Sequence, residues 1–432
     1  MIEVIVAAAL ITLAVGLAIR RHHFLFAIAL AMVGAYELSA PLLFAFLDDA
    51  TLVPALAIFQ EQASTEAVET FTPALLAFFA FFVGAYAVAR PGKTSVASSV
   101  KANAGSGNEL RVFIPVILVF GVISMVTGAG QARLEDYAGE LNPTTRYFSY
   151  GALLFVVCGA ILWHQLFWKK WSAFVVTALC LLPLTIELFA AGKRQWFAPA
   201  AFILLMLILY SRVRYKLALA AASIFVVTAF FALQYSLREQ IQQADSEFGT
   251  APFVWAILIP QMNEFLGVGA ISFYSWNMFV LEGTSPTWGL HWVFHLLNAF
   301  PFFKLGDLLF PAYSQQIYTI YSNVAPWGAL SMVADAIIGF SWLGVPLLGI
   351  ALGVLCRKAH EYLVIAMQRG MPGNAKSIYL LSLIAVLFLK YRSGIGDAIQ
   401  AAVAFSILYW TIILVARLSF LSDLRVARRP AP

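Results

Sequence analysis

The chain has 432 residues, of which 62% are hydrophobic and 11% charged, with a formal net charge of +5. That balance excludes a water-soluble globular enzyme, because the apolar residues gather into runs of roughly 15 to 24, long enough to cross a hydrocarbon core about 30 Å thick. Cys158, Cys180 and Cys356 lie in or beside those runs and form neither a secreted disulfide framework nor a metal-spaced set.

In chain order the apolar runs are Ile2–Ile19, Phe24–Leu47, Phe71–Ala89, Val112–Ala129, Tyr147–Leu166, Trp171–Ala191, Trp196–Tyr210, Leu217–Tyr235, Leu330–Leu355, Ser377–Tyr391 and Ala398–Ala416. They predict an all-α polytopic transmembrane bundle of about eleven helices, a single integral membrane domain over residues 1–432. The first run carries Glu3 and is followed by Arg20-Arg21-His22-His23, the pattern of a retained anchor and not of a cleaved signal. Residues 90–111, rich in Gly, Ser, Asn and Lys, read as a flexible connector.

Basic residues sort onto alternate loops. With the amino terminus outside, 19 of the 27 Lys and Arg fall on inner segments, among them Arg20, Arg21, Arg214, Lys216, Arg357 and Lys358. The positive charge therefore follows membrane topology, and no nucleic-acid partner is implied. The other eight, Arg133, Arg146, Lys193, Arg194, Arg238, Lys304, Lys390 and Arg392, are outside or near outer helix ends. Arg133, among Glu135, Asp136 and Glu140, reads as a surface ion-pair residue. Lys193-Arg194 and Lys390-Tyr391-Arg392 each abut a run of about 15 apolar residues, roughly 22 Å of helix. Short helices draw their ends into the bilayer. Two helix amino termini, the second with Asp397 as its N-cap, then face the same depth beside four cations. The arrangement predicts an anion site at the level of the outer-leaflet phosphates; structural salt bridges are the alternative use of the same charges.

The long interruption at 236–325 is expected to be a large, partly helical extracytoplasmic loop. It begins polar, with Arg238, Glu239, Gln240 and Asp245, and turns aromatic around Trp255, Trp276, Trp288 and Trp292, broken by Pro252, Pro260, Pro286 and Pro301. Amphipathic pieces on the interface, or re-entrant segments among the spans, fit that composition, and residues 265–281 are apolar enough to cross. The rings are either interface anchors or platforms covering the apolar faces of sugars. His291 and His295 share a helical face and read as a general base, a phosphate donor or packing histidines; with no HExxH pattern and no third ligand, no metal or cofactor is expected. Glu264, Glu282 and Asp307 are carboxylates able to accept a hydroxyl proton. Asp335 lies inside an apolar span, where an ionisable group is costly, and is for that reason a functional candidate, as are Glu37 and Glu187. Pairing of Asp335 with Arg392 or Arg194 would make it structural.

Three stretches carry a family resemblance. Ala191-Gly192-Lys193-Arg194-Gln195-Trp196 before an apolar run is similar to the Gly-x-Arg opening of a mid-chain helix; Tyr321-Ser322-Asn323-Val324 with Ala334-Asp335-Ala336-Ile337-Ile338-Gly339-Phe340-Ser341-Trp342-Leu343-Gly344-Val345 resembles an acidic, Phe and Gly pattern after a long loop; and Phe388-Leu389-Lys390-Tyr391-Arg392-Ser393-Gly394 resembles a late Arg-Ser/Gly element. Together they resemble the bacterial oligosaccharide repeat-unit polymerases of the O-antigen polymerase (Wzy) type. That resemblance implies a GT-C-like bundle in the inner membrane that transfers a growing glycan from undecaprenyl diphosphate onto the next lipid-linked repeat unit at the periplasmic face. It implies a chain-length regulator and a flippase as partners, and neither nucleotide sugar nor metal. Lys193, Arg194, Arg238 and Arg392 would neutralise the departing diphosphate, and Asp335, His291, His295 or Glu264 would take the acceptor proton. An O-antigen ligase type of enzyme, with a lipid A acceptor and a loop histidine as base, is the neighbouring alternative. A transporter using Glu37, Glu187 and Asp335, or a non-catalytic assembly partner, is the alternative of another class.

Overall fold

The computed structural model describes residues 2–46, 65–89, 197–211, 214–226, 266–300, 304–325, 330–368 and 375–427. These residues are helical with short turns, and no strand occurs among them. The helices are α1 (Ile2–Arg20), α2 (Phe24–Phe46), α3 (Thr65–Val88), α4 (Phe197–Tyr210), α5 (Lys216–Val226), α6 (Leu266–Leu281), α7 (Leu290–Leu297), α8 (Leu305–Leu309), α9 (Pro311–Val324), α10 (Met332–Phe340), α11 (Gly344–Gln368), α12 (Ala375–Leu389) and α13 (Gly394–Ala427). Four stretches, Glu3–Arg20, Glu69–Val88, Met332–Met367 and Lys390–Leu414, are long and apolar enough to cross a membrane. The spans expected at 112–129, 147–166 and 171–191 lie outside the described residues.

Association inside a bilayer has no hydrophobic drive, so helices there meet where small residues let backbones approach. Gly349 and Gly353 of α11 do this against α3: a Cβ at the first would lie 2.6 Å from the Phe78 carbonyl oxygen, and at the second 2.5 Å from that of Phe82. The matched register makes the two helices parallel, with Phe71, Phe78 and Phe82 fully buried. α6 packs against the start of α3, where Phe71 meets Phe273 edge-on and Trp276 donates its indole N–H to Thr70 Oγ1 at 3.0 Å. A second apolar cluster joins α4, α12 and α13 around Ile203, Ile378, Phe405 and Tyr409.

The run expected as one span, 330–355, is two elements. α10 begins at the N-cap Ser331, whose hydroxyl oxygen accepts the Ala334 N–H at 2.9 Å, and ends at Phe340. Ser341 then takes a left-handed φ of 53°, held by donation of its hydroxyl to the Phe279 carbonyl at 2.9 Å. A Cβ at Gly344 would overlap the Ala336 carbonyl, although eight residues of continuous helix would separate the two by about 12 Å. The chain therefore folds back at 341–343, and only glycine fits at 344. Apolar content is the same on both sides of this break, which is why composition hides it.

One end of the bundle is basic. There His23 Nδ1 lies 3.0 Å from His360 Nε2 and 2.8 Å from the Tyr86 hydroxyl, and the Tyr210 hydroxyl lies 2.7 Å from His360 Nδ1. Lys216 covers the Phe24 ring and Arg357 the Tyr86 ring, with Arg357 paired to Glu361 at 2.6 Å. The other end, about 24 Å away along α11, holds Asp335 and both loop histidines.

Candidate functional site

Asp335 is wholly buried, and four donors converge on it. Oδ1 accepts from His291 Nε2 at 2.9 Å and from the Tyr321 hydroxyl at 3.1 Å; Oδ2 accepts from Trp292 Nε1 at 3.2 Å and from the Gly396 N–H at 2.8 Å. Four donors filling both oxygens is the environment of an ionised carboxylate. One of these donors, His291 on α7, is hydrogen-bonded through its other ring nitrogen to the Thr287 hydroxyl. Three elements are thereby tied to one side chain: α7 through His291 and Trp292, α9 through Tyr321, and the start of α13 through Gly396.

Glycines make the approach possible. Gly394 has φ +87°, and a Cβ there would sit 3.0 Å from Asp335 Oδ2. At Gly396 a Cβ would lie 2.9 Å from His295 Cγ, so the imidazole rests directly on the α13 backbone.

His295, one turn beyond His291, is partly exposed, with 12% of its side chain accessible. Its Nε2 is 3.3 Å from the Tyr321 hydroxyl, and its Nδ1 is 3.9 Å from Asp397 Oδ1. Burial, with Asp335 beside it, pushes the Tyr321 phenol well above its usual range, so it keeps its proton and donates it to Asp335. Toward His295 the same oxygen can only accept, which places the hydrogen on Nε2 and leaves the lone pair on Nδ1, facing Asp397. Burial holds the His295 imidazole below its ordinary 6.5, against the opposing pull of Asp397 and Asp335. Gln400 also reaches the ring, and the neutral imidazole is the form a general base needs at neutral pH.

Asp397 is not the N-cap expected from sequence. α13 starts three residues earlier, at Gly394, and the Asp397 carboxylate in its first turn takes Lys390 Nζ at 3.2 Å. Lys390 is thus neutralised at short range instead of standing as an open cation. Arg392 is exposed in the single turn of 3-10 helix, Lys390–Ser393, that precedes α13. Glu282 accepts from Asn277 Nδ2 at 2.7 Å, and Asp307 is held by Asn298, Ser314 and Lys304, so both have structural partners.

The structure brings together Asp335, His291 and His295 and sets Arg392 nearby in sequence to Gly396. Lys193, Arg194, Arg238 and Glu264 lie outside the described residues. Thr287 and Gly396 carry no functional signal of their own in the sequence, Trp292 is legible there only as one of the loop's aromatic rings, and Tyr321 only as part of a motif and not as a partner of Asp335; the Gly394-x-Gly396 spacing before an apolar helix was the available signal of a close backbone approach. Among the described residues no three His, Cys, Asp or Glu side chains are placed to hold a metal ion. No protein-family model matches the sequence, and no curated protein or solved structure matches it.

Proposed function

We propose that the chain is a polysaccharide polymerase of the inner membrane, a GT-C-like bundle of about eleven helices that joins undecaprenyl-diphosphate-linked repeat units at the periplasmic face. The observation that carries this reading is the partly exposed, neutral His295 with its Nδ1 beside the Lys390–Asp397 pair, braced through Tyr321 by the buried Asp335. Its placement at the end of the bundle opposite the basic residues supports a periplasmic site.

In the reaction the acceptor sugar hydroxyl lies against Nδ1. The hydroxyl donates its one proton to Nδ1 at about 2.8 Å, and Asp397 Oδ1, 3.9 Å from that nitrogen, is left to face the imidazolium that forms. The hydroxyl oxygen attacks the anomeric carbon, the carbon–oxygen bond to the diphosphate breaks, and the electron pair leaves on the diphosphate. The hydroxyl proton passes to Nδ1, where Asp397 stabilises the imidazolium. Lys193, Arg194, Arg238 and Arg392 are the cations assigned to the leaving diphosphate, an assignment that rests on charge sorting and on the family resemblance.

The loop position of the base favours one second reading, a ligase-type transferase with the same donor and lipid A as acceptor. Purified protein in liposomes separates the two: incubation with lipid-linked repeat units alone should give a ladder of longer glycans on the carrier. Growth only when lipid A is added selects the ligase, and an unchanged donor pool under both conditions removes glycosyl transfer altogether.

A further inference from the structure

α7 is amphipathic in the opposite sense to a helix in water. It buries His291 (0% exposed) and Phe294, and turns Leu290 (57% exposed), Val293 and Leu296 outward. Three-residue spacing places those aliphatic side chains on one stripe. α8 continues the pattern, with Leu308 (72% exposed), Leu309 and Phe310 outside.

The next helix reverses it. α9 buries Ile317 and Val324 and exposes Gln315, Gln316, Thr319, Ser322 and Asn323, with Tyr318, a residue type that favours membrane interfaces, among them. Between Phe310 and Gln315 the exposed surface therefore changes from hydrocarbon to amide and hydroxyl. The apolar side also joins a membrane face. Trp288 meets Phe340 with ring centroids 6.4 Å apart, and from there Trp342, Leu347, Ile350 and Val354 continue the exposed stripe along α11, itself part of a candidate span. An isolated apolar patch on a protein surface marks a protein partner or a lipid. One that is continuous with the flank of a spanning helix and cut off by a polar neighbour marks lipid.

We propose that residues 288–300 and 304–310 are seated among phospholipid acyl chains of the leaflet opposite the basic end, with the waterline between α8 and α9. His291, His295 and Asp335 then lie below the headgroups, and burying His291 while exposing leucine is the stable choice because the surrounding solvent is hydrocarbon. If the site transfers glycans, a polyprenyl-linked substrate reaches His295 without withdrawing its tail from the bilayer. That consequence rests on the functional reading above; the lipid seat does not.

Collision accessibility of spin labels tests it. In a background with Cys158, Cys180 and Cys356 replaced by serine, nitroxides at Val293→Cys and Leu309→Cys in the full chain, reconstituted in phosphatidylethanolamine–phosphatidylglycerol vesicles, should relax with oxygen several-fold more than with a water-soluble nickel chelate. Labels at Gln316→Cys and Ser322→Cys should show the reverse. Nickel access at 293 and 309 overturns the proposal in favour of an aqueous loop, and protection from both relaxants overturns it in favour of a second copy or another protein. If the serine background does not fold, bromine-labelled phospholipids in vesicles of the native chain give a second measure: quenching of tryptophan emission should diminish on Trp288→Phe, and an unchanged quenching counts against the seat.

Discussion

Gly396 donates its main-chain N–H to Asp335 Oδ2 at 2.8 Å, tying the first turn of α13 to the first turn of α10 across sixty-one positions of chain. A side-chain carboxylate here does what a helix cap does, satisfying a free amino-terminal N–H, and it does so while holding His291, Trp292 and Tyr321. The four donors stand or fall together with that carboxylate.

Asp335→Asn keeps the volume but replaces an acceptor oxygen by an amide that itself donates, so donors on one side face another donor. Each buried donor left unsatisfied costs about 1–3 kcal/mol. Thermal unfolding in detergent should show a loss of at least that size, and His291→Gln a smaller one, since glutamine can still donate to the carboxylate. Equal stability of Asp335→Asn and the native chain would show that the carboxylate is not the tie.

At Gly396 the added Cβ of alanine would press on His295 Cγ, the ring atom fixed to the side-chain stem, which cannot swing aside without moving α7. Overpacking of this kind costs about 1–3 kcal/mol, and it displaces Nδ1 from Asp397. Gly396→Ala is expected to fold, to melt lower, and to lose glycan transfer far out of proportion to its stability. Retention of full activity in the folded variant would rule out His295 as the base in its observed position.

The residue types of the site were legible in the sequence, but their meeting was not. Asp335 stood out because a carboxylate in an apolar run is costly, and His291 and His295 because four-residue spacing gives one helical face. Hydropathy does not show that α10 is a separate element, since the run is apolar on both sides of the break; Gly344 and Pro346 were the available signals, and the direction of the turn depends on the φ of Ser341. The sequence shows the charge of Lys390 but not its partner, and leaves an anion site and a salt bridge both open; Asp397, four residues beyond the N-cap position Ser393, is what claims it. The spanning helices were readable where hydropathy alone decides, as in α1 and α3, whereas the contact of Gly349 and Gly353 with α3 required knowing which helices are neighbours.

The pH response follows from His295, faced by Asp397, Asp335, His291, Tyr321 and Gln400, with Lys390 behind Asp397. Its folded-state pKa lies below the ordinary 6.5 because burial disfavours the cation. As a base it works deprotonated, so transfer should fall as pH drops through that lowered value, placing the acid limb below 6.5. Stability has the same sign. Between the two pKa values the unfolded chain binds the proton and the folded one does not, so this contribution is present above 6.5 and lost as pH falls from 6.5 to the folded value. His295→Gln should abolish the acid limb and slow turnover by about 10²–10⁴-fold, and Asp397→Asn should move the limb further down. A limb that stays in place in Asp397→Asn assigns the titration elsewhere.

The packing of α3 on α11 is testable without any assumption about activity. At Gly353 a Cβ meets the Phe82 carbonyl at 2.5 Å and the Ala85 methyl at 2.9 Å, backbone and short side chain that cannot rotate away. Gly353→Leu should therefore separate the helices and lower the melting temperature, by more than Gly84→Leu on α3, where a Cβ meets nothing within 4 Å. If the two variants melt alike, close approach at Gly353 is not what holds these helices together.

Tyr391 lies between Lys390 and Arg392 yet points the other way. Its hydroxyl donates to Glu37 Oε1 at 2.7 Å, and its ring stacks on Tyr36, so the turn that presents the two cations is anchored to α2. Both partners are buried, Glu37 completely, and Ser272 and Ser331 also face its carboxyl. Tyr391→Phe removes that donor and should destabilise by about 1–3 kcal/mol. It should also loosen Lys390 and Asp397, lowering kcat while KM for the lipid-linked donor rises. Glu37→Gln keeps a carbonyl to accept the same hydroxyl and should restore both parameters to near the native values, whereas Glu37→Leu should reproduce the Tyr391→Phe defect. A Tyr391→Phe protein that is less stable but turns over normally would confine the bond to folding and detach α2 from the site.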